Sequence, residues 1–347
     1  MDSSRDDLVR RKDEHIDHVR AGKGRSAVGA GLDAVRFAHN ALPELDHDAI
    51  DLSASLFGRT LKRPILISSM TGGPSRAAGI NARLAEAAQH LGIALAVGSQ
   101  RVALESNADL GLGADLRRRA PDALILANLG AVQFVKGYGL DQARRAVEMI
   151  GADGLILHLN PLQEAVQPEG DRDWRGVEAA IASLASAFPG RLMIKETGAG
   201  LSGAVVRRLA DLGVAALDVA GAGGTNWGLI EGAREAGGRA EAVARPFAAW
   251  GVPTAESLIE AARAAPDLPL IGSGGIRDGL DAARAIRLGA RIVGQAAGVL
   301  EAALVSTEAV VDHFEIFSAQ LRLACFCTGS ADLAALAQAP LLEDVRF

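Results

Sequence analysis

The strongest constraint on this chain is a unit that recurs eight times: a short apolar run ending in Gly, Ser or Asn, then an Ala/Leu/Arg-rich stretch with helical periodicity. The runs are PILISSM from Pro64, IALAVGS from Ile93, ALILANLG from Ala123, GLILHLN from Gly154, RLMIKET from Arg191, AALDVAG from Ala215, LPLIGSGG from Leu268 and RIVGQAAG from Arg291. Most intervals are roughly 25 to 40 residues, the length that a strand and a crossover helix need. Continuous apolar runs suit parallel strands covered on both faces. Eight alternations therefore predict an α/β fold closed as a (β/α)8 TIM barrel. The longest interval, between the sixth and seventh runs, holds an extra helical segment around Thr254 to Ala265, and Leu304 to Cys327 reads as further helix.

Residues 1–60 are polar and irregular, with Gly22, Gly24, Gly29 and Gly31 breaking any helical period. They are expected to form an N-terminal arm that contributes substrate contacts, with the barrel over 61–347. A doubly wound sheet competes through one motif: Gly198, Gly200 and Gly203 spell G-x-G-x-x-G after a strand, with Asp218 about twenty residues on. That motif falls on the fifth strand of eight instead of opening the fold, and Asp218 sits inside its strand.

Composition narrows the function classes. The formal net charge of -6 gives no long-range attraction to nucleic acid or to an anionic membrane. Cys325 and Cys327 are the two cysteines, with no zinc spacing around them, so a reducing cytoplasm is expected. No apolar h-region follows the charged N-terminus and no apolar run reaches spanning length, so a soluble, unexported protein is expected.

In a β/α barrel the chemistry collects at the C-terminal ends of the strands. Here those ends carry Ser69, Met70 and Thr71, then Ser99, Gln100 and Arg101, then Asn128, His158, Asn160 and Lys195. Gly223, Gly224 and Thr225 follow, then Gly274 and Gly275, and finally Ala296 and Ala297. The Gly-rich ends of the last two strands each lead into a helix, so backbone N–H groups can face a phosphate there. Lys195 ends an apolar strand, where its desolvation calls for a partner anion. Arg11 and Lys12, adjacent cations on the arm, could fold over a bound polyanion. Glu164, beside Asn160 and Gln163, makes sense near an anion site if Mg²⁺ bridges it to phosphate oxygens.

Longer strings are specific enough to identify a family. RKDEHI from Arg11, SSMTGG from Ser68, VGSQR from Val97, HLNPLQEAVQPEGD from His158, IKETGAGLS from Ile194, DVAGAGGTNW from Asp218, WGVPTAESL from Trp250 and SGGIRDGLDAARAIRLGA from Ser273 closely resemble the type 2 isopentenyl-diphosphate isomerases. The resemblance runs from residue 11 to LRLACFCTG near the C-terminus. It implies interconversion of isopentenyl and dimethylallyl diphosphate with FMN, a reduced nicotinamide nucleotide such as NADPH, and Mg²⁺, in a homotetramer or homooctamer. By the same resemblance Ser69, Met70, Thr71, Ser99, Asn128, Lys195, Thr225, Gly274, Gly275, Ala296 and Ala297 look like FMN contacts. Arg11, Lys12, Ser99, Gln100, Arg101, His158, Asn160 and Gln163 look like the substrate shell, Glu164 like the Mg²⁺ ligand, and Gln163, His158 and Lys195 like the catalytic set.

An isolated alkene is a very weak base, so moving its double bond needs a positioned acid and stabilisation of positive charge. No acid/base carboxylate pair is apparent in the sequence, and the resemblance suggests that the reduced flavin shuttles the proton. The competing enzyme is an FMN barrel oxidoreductase of the hydroxy-acid or IMP dehydrogenase type, which would need a base or cysteine at the rim. A flavin-binding sensor without turnover would leave Arg11, Lys12, Gln163 and Glu164 without a task.

Overall fold

The computed structural model describes residues 14–70, 75–106, 109–234 and 237–342. Two short strands come first, β1 (Ala54–Leu56) and β2 (Arg59–Leu61), paired as an antiparallel hairpin. Eight further strands follow: β3 (Ile65–Ile67), β4 (Ala94–Ala96), β5 (Ile125–Gly130), β6 (Gly154–Leu159), β7 (Leu192–Glu196), β8 (Ala216–Asp218), β9 (Leu270–Gly272) and β10 (Ile292–Gln295). Each of the eight apolar runs supplies one of them. Neighbours pair in parallel, and β10 closes the sheet by pairing with both β9 and β3. The eight-stranded barrel expected from the periodicity is the fold. The extra segment is the helix Thr254–Ala264, and the C-terminal stretch is the helix Thr307–Thr328.

Strand alternation sorts the core into two layers. Alternate neighbours such as Ile65, Ile125, Leu155, Leu217 and Val293 face outward, into the main core under the surrounding helices. Leu66, Ala94, Ala96, Leu126, Ile156, Met193, Ala216, Ile271 and Ile292 face inward and meet one another inside the barrel. Surrounding helices begin at local side-chain caps: Ser202, Asp278 and Ser306 each accept from a backbone N–H in the first turn of the helix that follows.

The described part of the arm, residues 14–60, holds more regular structure than its irregular sequence suggests. A short helix covers 14–20, and the β1–β2 hairpin lies at the bottom of the barrel, where Leu56 and Leu61 join the inward-facing apolar cluster. Its turn, Phe57-Gly58, has positive φ at both residues (51° and 73°), the conformation that suits a two-residue hairpin. Gly154 makes room for it, since a Cβ there would lie 2.8 Å from the Phe57 ring. At the opposite end, residues 24–33 cross the strand ends. The Ser26 N–H donates to the Gly224 carbonyl (2.9 Å), the Asn226 N–H to that of Gly24 (2.7 Å), and Asp33 pairs with Arg277 (2.6 Å) and Arg284 (3.1 Å). No helix among the described residues is long and apolar enough to cross a membrane.

The hairpin plug has a testable energetic consequence. Leu56 is about 1% exposed, so Leu56→Ala is expected to lower stability by about 2–5 kcal/mol through lost burial and a residual cavity. Chemical denaturation of the two proteins checks this; a change below about 0.5 kcal/mol would mean that the hairpin is peripheral.

Candidate functional site

Above the inward-facing apolar layer, the alternation puts one residue per strand at the next level: Ser68, Gly98, Asn128, His158, Lys195, Asp218, Ser273 and Gly294. Every member is polar or glycine, and together they floor a cavity of about 750 Å³ that Ser68, Asn128, His158, Lys195, Ser273 and Gly294 line. The members bond to one another. The Asn128 amide donates to the Val97 carbonyl (3.0 Å), which turns its oxygen toward His158 Nδ1, 2.9 Å away. That oxygen accepts, so Nδ1 carries the proton of this hydrogen bond. The Ser273 hydroxyl donates to Asp218 Oδ1 (2.7 Å). Lys195 and Asp218 are register neighbours on β7 and β8, and Lys195 Nζ donates to the Glu196 carbonyl (2.5 Å).

One wall is built by the loop after β6. Pro161 opens the helix Pro161–Val166, which puts Asn160, Gln163 and Glu164 on one face. Asn160 Nδ2 donates to Gln163 Oε1 (3.2 Å) and to Glu164 Oε1 (2.9 Å), while Glu164 Oε2 accepts from the Asp171 N–H (2.8 Å). Gln163 Nε2 donates to Glu231 Oε1 (2.8 Å). Glu231 is buried and also meets Arg234 (3.0 Å) and His15 of the arm (3.2 Å), whose ring stands edge-on to Trp227.

The opposite wall is an anion cradle. Gly274 and Gly275 have φ of 100° and 72°, and a Cβ on Gly274 would lie 2.1 Å from the Gly221 carbonyl oxygen. The adjacent helix Ala297–Val305 starts at Ala296 with no side-chain cap, so its first N–H groups have no side-chain acceptor from the cap position. Small residues and open amides at two neighbouring loops are what a phosphate requires.

The described residues expected in the site line this cavity, with one exception: Ser69, Met70, Ser99, Arg101, Asn128, His158, Asn160, Gln163, Glu164, Lys195, Thr225, Gly274, Gly275, Ala296 and Ala297. Arg101 pairs with Glu105 (3.0 Å) and approaches Asp171 (3.9 Å). Gln100 is the correction. Its fully buried amide donates to the Ala146 carbonyl (2.8 Å) and accepts from the Asn128 N–H (3.0 Å), so it braces the scaffold behind Asn128 and does not line the cavity. Arg11, Lys12 and Thr71 lie outside the described residues. The G-x-G-x-x-G loop is not a nucleotide site either: the amides of Thr197, Gly198 and Ala199 all donate to Glu196 Oε2 at 2.5, 2.6 and 2.5 Å, so an internal carboxylate occupies it. Burial pushes that carboxyl up to about 7 against those hydrogen bonds.

Sequence reasoning missed Glu231, Trp227, Asp33 and Arg277. Glu231 left one trace, a lone acid inside the apolar GLIEGA. Cys325 and Cys327 are free, and neither lines the cavity. A larger cleft, about 1050 Å³, lies outside the barrel between Trp174, Ile181, Val205 and Trp250; it holds none of the expected residues.

The profile of the FMN-dependent dehydrogenase family matches residues 160–343. The isopentenyl-diphosphate delta-isomerase of Xanthobacter autotrophicus is 66% identical over 334 residues, covering 96% of this chain and 97% of that protein. The chain belongs to that isomerase family. The family member from Stutzerimonas stutzeri is 62% identical and covers 98% of this chain and 99% of its own length. Among solved structures, a mandelate oxidase superposes with a TM-score of 0.67 at 18% identity, covering 97% of this chain and 98% of the oxidase, a likeness of fold alone.

The cavity fits the FMN of this family on its own geometry. Buried Ser68 Oγ, Ser69 Oγ and Asn160 Oδ1 lack partners, which calls for a polar ligand, and the glycine cradle would take its phosphate. Among the described residues, no group of three or more His, Cys, Asp or Glu could hold a metal, so Glu164 would hold Mg²⁺ only together with substrate oxygens and water. Gly274→Ala is expected to weaken FMN binding about tenfold or more through backbone strain of about 1–3 kcal/mol. Flavin fluorescence titration measures it; an unchanged affinity would move the phosphate elsewhere.

Proposed function

We propose that this protein isomerises isopentenyl diphosphate to dimethylallyl diphosphate, a step of isoprenoid biosynthesis, with reduced FMN in the cavity. The observation that carries this reading over the oxidoreductase one is the 66% identity, across 96% of the chain, to a protein named for that reaction, against 18% for the mandelate oxidase. The described cavity lining holds no cysteine, which counts against the cysteine-dependent form of that rival; His158 supplies a base, so the identity decides against the hydroxy-acid form.

Reduced flavin supplies an electron-rich ring face and an exchangeable proton where the alkene lies. The chain's own residues bind and orient. Lys195, which lines the cavity, would offset the negative charge that reduction creates. Arg101, His158 and Asn160, with Arg11 and Lys12 from the arm, would bind the diphosphate, and Glu164 would hold a Mg²⁺ that neutralises its charge. Gln163 is fixed from both sides, by Asn160 and by Glu231, so its amide presents one orientation to the hydrocarbon end. A proton is added at one carbon and removed at another, so electrons balance without net oxidation. The family resemblance extends the reading to NADPH as reductant and to a cytoplasmic homotetramer or homooctamer.

Turnover of isopentenyl diphosphate by the FMN-loaded protein with Mg²⁺, followed as dimethylallyl diphosphate, is expected only after the flavin is reduced. Oxidation of a 2-hydroxy acid with no isomer formed would replace this reading with the oxidoreductase one. Glu164→Gln is expected to raise the Mg²⁺ needed for half-maximal rate by about tenfold or more with the flavin spectrum unchanged. An unaltered Mg²⁺ dependence would remove Glu164 from the metal site.

A further inference from the structure

Gln295, the last residue of β10, ties the two halves of the anion cradle together. Its buried amide donates from Nε2 to the carbonyls of Ile276 (3.1 Å) and Arg277 (3.3 Å), in the loop that follows Gly274 and Gly275. The same side chain packs against the start of the helix Ala297–Val305, where a Cβ on Gly298 would lie 2.6 Å from Gln295 Nε2. One amide therefore fixes where the loop after β9 sits relative to the first N–H groups of that helix, and both segments line the cavity.

The orientation of this amide depends on a residue behind the cavity. Two carbonyls can be met only by the NH2 group, so Oε1 points the other way and needs a donor. His313, on the outer helix Thr307–Thr328, supplies it: its Nε2 lies 2.5 Å from Gln295 Oε1. That oxygen only accepts, so Nε2 carries the proton. His313 itself does not line the cavity, and its ring stands edge-on to buried Phe314, with centroids 5.0 Å apart. Without this donor a buried amide oxygen would lose its partner, and nothing on that side would hold the NH2 group toward Ile276 and Arg277.

We propose that His313 is a positioning residue for the phosphate site, acting through Gln295 to hold the two cradle segments at the spacing a phosphate needs. The proposal rests on the reading that FMN fills this cavity with its phosphate at these segments. The brace joins the chain at Ile276, Arg277 and Gly298, beside the glycine cradle, so it bears on the phosphate end of the ligand and not on the ring.

The test is to titrate the full-length, flavin-free protein and its variants with FMN and with riboflavin, which carries the same ring without the phosphate, following quenching of flavin fluorescence. His313→Leu, which keeps the bulk and removes the donor, is expected to raise the Kd for FMN about tenfold or more and that for riboflavin by less than about twofold. His313→Gln, whose Nε2 can take the place of the ring N–H, is expected to return the FMN Kd to within about threefold of the wild type. An unchanged FMN affinity in His313→Leu, an equal loss for both ligands, or a His313→Gln as weak as His313→Leu would each overturn the proposal and leave His313 a packing residue. If His313→Leu does not fold, Gln295→Met, which removes the amide from the other side of the hydrogen bond, decides on the same ratio of FMN to riboflavin affinity. A wild-type protein that binds FMN no more tightly than riboflavin would overturn the phosphate reading and the proposal together, and would be seen before any variant is made.

Discussion

Closing eight parallel strands forces every second side chain into the barrel interior, and the character of those side chains level by level determines what the molecule can do. At the lower level they are Leu66, Ala96, Leu126, Ile156, Met193, Ala216, Ile271 and Ile292, sealed below by Leu56 and Leu61 of the hairpin. One step up, the same alternation gives Ser68, Gly98, Asn128, His158, Lys195, Asp218, Ser273 and Gly294. The apolar level drives closure by burial. The polar level cannot be buried without partners, so it becomes the floor of a ligand cavity and a hydrogen-bonded ring in its own right.

The rest of the site depends on that floor. His158 is oriented by Asn128, which is held in turn by Val97 and by buried Gln100. The β6 loop rises from His158 into Asn160, Gln163 and Glu164, and Gln163 reaches Glu231. Glu231 also meets His15, so the described start of the arm is tied through Glu231 to Gln163. A chain with a net charge of -6 can still offer an anion a local site, because Arg25, Arg101, Lys195 and the glycine loop at Gly274 and Gly275 line one cavity.

The eight strands were legible because each is a continuous apolar run, and the rim residues because each run ends in polar or glycine residues. The hairpin was not: its strands are three residues each, and its turn asks Phe57 to adopt a positive φ that only packing against Gly154 explains. Gln100 was misplaced because its position after β4 marks the rim but not the side-chain direction, which depends on the helix Leu140–Ile150 offering the Ala146 carbonyl. The G-x-G-x-x-G spacing was a real nest of amides whose anion is Glu196, a residue that sequence spacing cannot place. Glu231 and Asp218 required tertiary contacts to gain meaning.

An isomerase of this kind moves a proton and not a hydride. The most direct test is to reduce the bound FMN once, remove the reductant, add excess isopentenyl diphosphate in deuterated water without oxygen, and count product per flavin. Many turnovers per reduced flavin, with deuterium entering the hydrocarbon and the flavin still reduced at the end, is the predicted result. One product per flavin, with the flavin left oxidised, would assign the site to redox chemistry instead.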